Sequence, residues 1–331
     1  MLGTDLDRVP QAIGELETRG YDAAFSAEIN NDPFFPLLLA AEHSENIALT
    51  TAIAVAFARN PMTLANLAWD LNRYSKGRFT IGLGSQIKPH ITRRFSMPWS
   101  QPAARMREFI LAMRAIWTCW ETGGKLDFNG EFYQHNLMTP MFTPADSPYG
   151  GAGVNLAAVG PLMSEVAGEV ADGVIAHGFT TATYLRDVTL PAVQRGLEKS
   201  GRQRAAFEVI LPAMVVAGIT EEAFQHSRLA VQSQLAFYAS TPAYRPVLDL
   251  HGWGDLQPEA HRLTREGRWQ EMGELITDDI LHAFAVVSED IDQVPALLAQ
   301  RYGGLADTWM CTVETGDGDR QRQLIAAVQS A

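Results

Sequence analysis

Apolar residues along the chain switch repeatedly between two spacings, and the switching predicts alternating strands and helices. Leu6, Val9, Ile13 and Leu16 recur at helical intervals over residues 6–19, and Gly20 supplies a stop signal. A strand follows over 21–27, and Pro33 opens a helix that runs to Glu42. The stretch IALTTAIAV, residues 47–55, is almost wholly apolar or β-branched. A parallel strand covered on both faces has that composition, because neither face meets water. Residues 61–74 read as a helix closed by Gly77, residues 79–83 as a strand, and 103–122 as a long helix. FNGEFY (128–133) places aromatic residues around Asn129-Gly130, a hairpin-turn signal.

The second half repeats the theme more loosely. Strands are expected over 154–159, 173–177 and 207–217, with helices over 160–171, 184–199 and from about Thr220. Residues 308–313 would be the last strand, and the short apolar start at 1–4 the first. Eight alternating units without a central linker predict an α/β fold of the (β/α)8 TIM-barrel type in one domain, 1–331. Two segments exceed what a strand–helix unit needs. Residues 123–152 are expected to form a hairpin and loop insertion, and 240–301 a helical insertion before the last strand.

Composition sharpens this picture by exclusion. The 331 residues are 47% hydrophobic and 19% charged, as suits a large packed core. No apolar stretch reaches the roughly eighteen residues of a membrane span, and the first residues do not read as a signal peptide. Cys119 and Cys311 make neither a disulfide framework nor a metal set, so a cytoplasmic home is the expectation. No HExxH or CxxC is present, and no metal is proposed. The net charge of −12 argues against general nucleic-acid binding. Lys88, Arg93, Arg94, Arg105 and Arg107 do crowd together, as a solvated face or as an anchor for an anionic tail. The absence of GxGxxG after the first strand disfavours a Rossmann domain.

Candidate chemistry gathers at the ends of the expected strands, where a barrel carries its site. Gly82 to Gln86 (GLGSQ) follows the fourth strand, and Ser85 and Gln86 can hydrogen-bond the polar edge of a ring. In AVGPL (158–162), Val159 ends a strand, Gly160 leaves room and Pro161 suits the first helical position, so backbone amides there can face an anion. Glu28 ends the second strand, His177 the sixth, and His90 lies in the loop after the fourth. Imidazole titrates near neutral pH, which makes His90 a candidate proton carrier.

The order of these segments resembles the luciferase-like monooxygenase superfamily, within it the F420-dependent oxidoreductases of actinobacterial type. The resemblance rests on GYDAAFSAE (20–28), residues 47–86, FNGEFY and NLAAVGPLMSEVAGEVADGVIAHGF (155–179), and covers about the first 200 residues. It implies a non-prolyl cis peptide at Ala52–Ile53, with Ala52, Ile53 and Ala54 as a shelf for a deazaflavin ring. It implies that the turn at Val159, Gly160 and Pro161 holds the cofactor phosphate, with His177 as a further contact, and that Glu28 points at the ring. Two departures matter. Ile29 stands where many relatives have a histidine, and Ile87 where the family's sugar-phosphate dehydrogenases have a glutamate. Glu28 and His90 are therefore the catalytic candidates, with residues around Phe237 and Tyr238 walling a small-molecule substrate. The expected activity is hydride transfer with F420. An FMN-dependent monooxygenase and a non-catalytic cofactor-binding barrel are the alternatives, and a homodimer is implied at family level.

Overall fold

Helices and strands alternate from the first residues onward. The structure is a computed structural model that describes residues 1–311, 313 and 315–331. In chain order its main elements are α1 (Val9–Thr18), β1 (Ala23–Ser26), α2 (Phe34–Glu42), β2 (Ala48–Thr51), β3 (Ala54–Val55), α3 (Pro61–Tyr74), β4 (Phe79–Gly84) and α4 (Pro102–Thr122). The hairpin β5 (Phe128–Asn129) and β6 (Gln134–His135) comes next, then β7 (Gly153–Ala158), α5 (Pro161–Val170), β8 (Gly173–Ala176), the single turn α6 (Ala182–Tyr184) and α7 (Leu190–Ser200). The remainder is β9 (Glu208–Leu211), β10 (Met214–Val216), α8 (Glu221–Ala239), α9 (Arg245–Leu250), α10 (Leu256–Glu266), α11 (Trp269–Glu274), α12 (Asp278–Phe284), β11 (Ala285–Val287), α13 (Val294–Tyr302), β12 (Thr308–Trp309) and α14 (Gly318–Gln329). This is a mainly parallel α/β fold. Among the described residues no helix is long and apolar enough to cross a membrane.

Two compact units share the chain. The first comprises Met1–Ala158, Leu162–Ile175 and Val193–Phe207, and the second Val159–Pro161, Ala176–Ala192 and Glu208–Ala331.

In the first unit the strand order is β1-β2-β4-β7-β8, with β3 also on β4. The pairs β1–β2, β2–β4, β3–β4 and β4–β7 are parallel. Every residue of β4 is buried except Thr80, which is half-buried, as a central parallel strand requires. α3 starts where it does because Pro61 fits the first turn and the Asn60 side chain accepts the Thr63 N–H at 2.9 Å. It then buries Leu64, Ala65, Ala68 and Trp69 at helical spacing. The FNGEFY hairpin is pinned to α4, since the Glu108 carboxylate accepts the N–H groups of Glu131, Phe132 and Tyr133 at 2.6–2.8 Å.

The second unit pairs β9 with β12 and, separately, β10 with β11, both in parallel. Its apolar core brings Phe179 and Tyr184 together with Leu235, Val247, Leu281 and Phe284.

Several expected elements differ in detail. The strand over 47–55 is two pieces, β2 and β3. The strand over 207–217 is also two, broken at Pro212 and Ala213, with β10 paired to β11 instead of to the neighbours of β9. The segment 240–301 is helical except for β11, which a helical reading had absorbed. Residues 1–4 form no strand among the described residues, though Leu2 N–H donates to Phe25 O at 2.8 Å. The expected last strand is seen as Thr308–Trp309, and position 312 of its span lies outside the described residues.

Candidate functional site

In the first unit the strand ends converge on a rim built around a break in register. Thr50 pairs with Thr80, and Ala54 with Leu83. Four steps along one strand are therefore matched by three along the other, which is a one-residue bulge. It falls at Ala52–Ile53, and the peptide bond between these two residues is cis. Ala52 and Ile53 are partly exposed between the buried Thr51 and the buried Ala54 and Val55.

The neighbouring strand accommodates this bulge with two glycines. A Cβ on Gly82 would lie 1.9 Å from the Thr51 carbonyl oxygen, and one on Gly84 would lie 2.8 Å from the Ile53 side chain. The space is taken by Thr51, whose hydroxyl donates to Gly82 O at 2.7 Å and accepts the Gly82 N–H at 2.9 Å. Ser85 and Gln86 follow at the same strand end. Gln86 adopts a left-handed backbone with φ of 60°, and its side-chain oxygen accepts the Ile87 N–H at 3.0 Å.

Glu28 lies beside the bulge and is only 9% exposed. Its N–H donates to Ile53 O at 3.0 Å, while its carboxylate accepts the Val55 N–H at 2.7 Å and the Arg59 guanidinium at 2.6 Å. Arg59 also donates to Asp32 at 2.9 Å. His90 opens the single turn His90–Arg94 and is exposed. That turn is tied back to the loop after β1, because Arg94 donates to Ile29 O at 2.6 Å. The structure therefore brings Glu28, Ala52, Ile53, Ala54, Ser85 and Gln86 to one set of strand ends, while His90 lies farther out on the loop.

Val159, Gly160, Pro161 and His177 belong to the second unit. A Cβ on Gly160, just before α5, would meet nothing within 4 Å. His177 has Tyr238 and Tyr244 against its ring, with centroids 4.7 and 4.4 Å away. Its Nδ1 accepts the Phe179 N–H at 3.0 Å, which leaves the ring proton on Nε2. Burial lowers its pKa from 6.5 to about 4, so the ring is neutral at physiological pH. The Tyr244 hydroxyl is pushed up to about 12, by burial first and by Tyr238 second. Phe179 stacks on Phe284 at 4.5 Å, and Val159 packs against the same cluster. Among the described residues, the hydroxyls of Thr180 and Tyr184 are buried without a hydrogen-bond partner. Phe237, expected as a wall, is 51% exposed, whereas Tyr238 faces His177.

Arg59, Asp32 and Tyr244 escaped the sequence reading. Arg59 did leave a signal, as the only charged residue between Glu45 and Asp70. A lone charge after an apolar strand calls for a buried partner. Tyr244 left none, since its proximity to His177 depends on how α8 and α9 pack.

Comparison with known proteins places this architecture. The model of the luciferase-like monooxygenase family matches residues 2–325. An uncharacterized protein of Mycobacterium tuberculosis is 54% identical over 302 residues, covering 91% of this chain and 88% of its own length. A 5,10-methylenetetrahydromethanopterin reductase of Archaeoglobus fulgidus is 26% identical, over 82% of this chain and 79% of its own. Among solved structures, the coenzyme F420 dependent tetrahydromethanopterin reductase of Methanopyrus kandleri superposes with a TM-score of 0.77 at 20% identity, covering 98% of this chain and 94% of that one. The chain belongs to the luciferase-like monooxygenase family.

Proposed function

We propose that this protein is an oxidoreductase that transfers a hydride between coenzyme F420 and a small organic substrate. The observation that carries the reading is the bulge at Ala52–Ile53, a patch of two uncharged, partly exposed residues between Thr51 and Ala54. A flat ring needs such a surface, because a large or charged side chain would hold it away. The likeness to an F420-dependent reductase over nearly the whole chain adds support.

The residues present fit the cofactor in chemical type. In the first unit, Ala52, Ile53 and Ala54 would hold a ring by backbone contact, with Ser85 and Gln86 as hydrogen-bonding neighbours. In the second, Val159, Gly160 and Pro161 lead into a helix start with space beside Gly160, and His177 offers an Nε2–H donor without a charge. The buried hydroxyls of Thr180 and Tyr184, which lack partners among the described residues, also suit a ligand rich in oxygen. When bound, the deazaflavin supplies a carbon centre that gives or takes a hydride. The chain's own part is to orient the reactants and move a proton, and the exposed His90 is the candidate carrier. Tyr238 and Tyr244 would face an apolar or aromatic reactant. A homodimer and a cytoplasmic location complete the proposal, supported by exposed Phe35 and Leu38 on α2 and by two unpaired thiols.

Anaerobic rapid mixing of the protein and reduced F420 with enones, imines and nitroaromatics tests the reading. At least one class should restore the absorbance of oxidised F420. Bound F420 that no acceptor oxidises would point to a non-catalytic carrier. Oxygen-dependent turnover with FMN would make the protein a monooxygenase.

A further inference from the structure

Glu28 makes too many fixed contacts for a group that hands protons to a reactant. Its side chain is 6% exposed, and that of its partner Arg59 is 17% exposed. One carboxylate oxygen, Oε2, accepts both the Val55 N–H and Arg59 Nη1. The same Arg59 nitrogen also donates to Val55 O at 3.2 Å, so charge and backbone are joined in one small ring of bonds. On the other side, the Glu28 N–H holds Ile53 O, and the Ala52 N–H donates to Ser26 O at 2.8 Å. Glu28 thus grips the chain on both sides of Ala54, by its main chain at Ile53 and by its side chain at Val55.

The bracket extends further. Asp32 accepts Arg59 Nη2 through Oδ2 and the Phe34 N–H through Oδ1, both at 2.9 Å, and the guanidinium lies 5.5 Å from the centre of the Phe34 ring. Arg59 is thereby fixed by the start of α2 as well as by Glu28. A half-buried guanidinium with two carboxylate partners has little freedom to release one of them, since an unpaired buried charge is costly.

We propose that Glu28 is a positioning residue. Together with Arg59 and Asp32 it sets the backbone of Ile53–Val55, and it acts on a bound ring through that backbone and not as a proton donor. This rests on the reading that the Ala52–Ile53 bulge supports a flat cofactor. The next residue, Ile29, has no ionisable group. Proton supply then falls to a group outside the bracket.

The two roles make opposite predictions for Arg59. A proton donor at Glu28 would leave the segment 53–59 ordered, and the cofactor bound, when Arg59 is replaced. A bracket would not. The test compares wild type with Glu28→Gln, Glu28→Ala, Arg59→Met and Asp32→Asn in two measurements. The first is hydrogen–deuterium exchange over 53–59 in the ligand-free protein, with segments of α8 as an internal control for folding. Exchange should accelerate about tenfold or more in Glu28→Ala and Arg59→Met, and less in Glu28→Gln, whose amide oxygen can still accept the Val55 N–H. The second is titration with F420 and with FMN, read by the visible spectrum of the bound ring. Affinity for whichever ring binds wild type should fall in the same order as the exchange protection, with Glu28→Gln partly rescuing Glu28→Ala. Unchanged exchange in Glu28→Ala and Arg59→Met would overturn the bracket. Faster exchange with unchanged affinity and spectrum would overturn its positioning role. Failure of both rings to bind wild type would instead sink the functional reading, while the exchange data would still decide whether Glu28 holds the segment.

Discussion

The two units hold their candidate residues by different means. Around Ala52–Ile53 the first unit uses directional bonds: the Thr51–Gly82 pair, the Glu28 grip and the Arg59 ion pairs, with glycines where a side chain would collide. Around His177 the second unit uses ring packing, with two tyrosines on the histidine and a phenylalanine stack behind. Bonds of the first kind fix atoms to tenths of an ångström but fail if one partner moves. Ring packing tolerates small shifts, yet it buries whatever polar groups it encloses. The histidine is consequently neutral and two hydroxyls go unpartnered among the described residues.

Four substitutions probe that contrast, in falling order of effect. Gly82→Ala drives a Cβ into the Thr51 carbonyl, a backbone atom that cannot swing aside, and should cost upwards of about 4 kcal/mol in denaturant unfolding. Phe284→Ala empties a fully buried ring site in the second unit and should cost about 3–4 kcal/mol. A smaller loss than for Gly82→Ala would accord with a packing-held region.

His177 adds a pH signature. Its folded pKa, about 4, is below its unfolded value of 6.5, so the unfolded chain binds the proton more readily. Its contribution to stability is therefore complete above pH 6.5 and lost as pH falls towards 4, by roughly 2–3 kcal/mol. Urea midpoints at pH 7 and pH 4.5 should draw closer together in His177→Asn than in wild type, and equal spacing in both would remove His177 as the source. At the small end, Arg107→Ala breaks a half-exposed pair between α4 and α5 and should change stability by less than about 1 kcal/mol.

Much of the first unit was legible because its strands are mostly apolar and several of its helices carry clear start signals. Pro61 after Asn60 and the run IALTTAIAV needed no tertiary information. The break within that run did, since both halves are equally apolar and only pairing with β4 reveals the extra residue. β11 was lost for a related reason: three apolar residues directly after a helix have no periodicity of their own. Glu28 was visible as a carboxylate at a strand end, but its partners were not, because Val55 N–H and Arg59 are 27 and 31 residues away. The aromatic surroundings of His177 come from α8 and the turn before α9, in a region whose pattern predicted helices without predicting which faces meet.

The most direct test of the functional account is side-by-side equilibrium titration of the purified protein with coenzyme F420 and with FMN. Saturable F420 binding with a perturbed ring spectrum is expected, with FMN binding at least about tenfold weaker. Tight FMN binding with no uptake of F420 would contradict it.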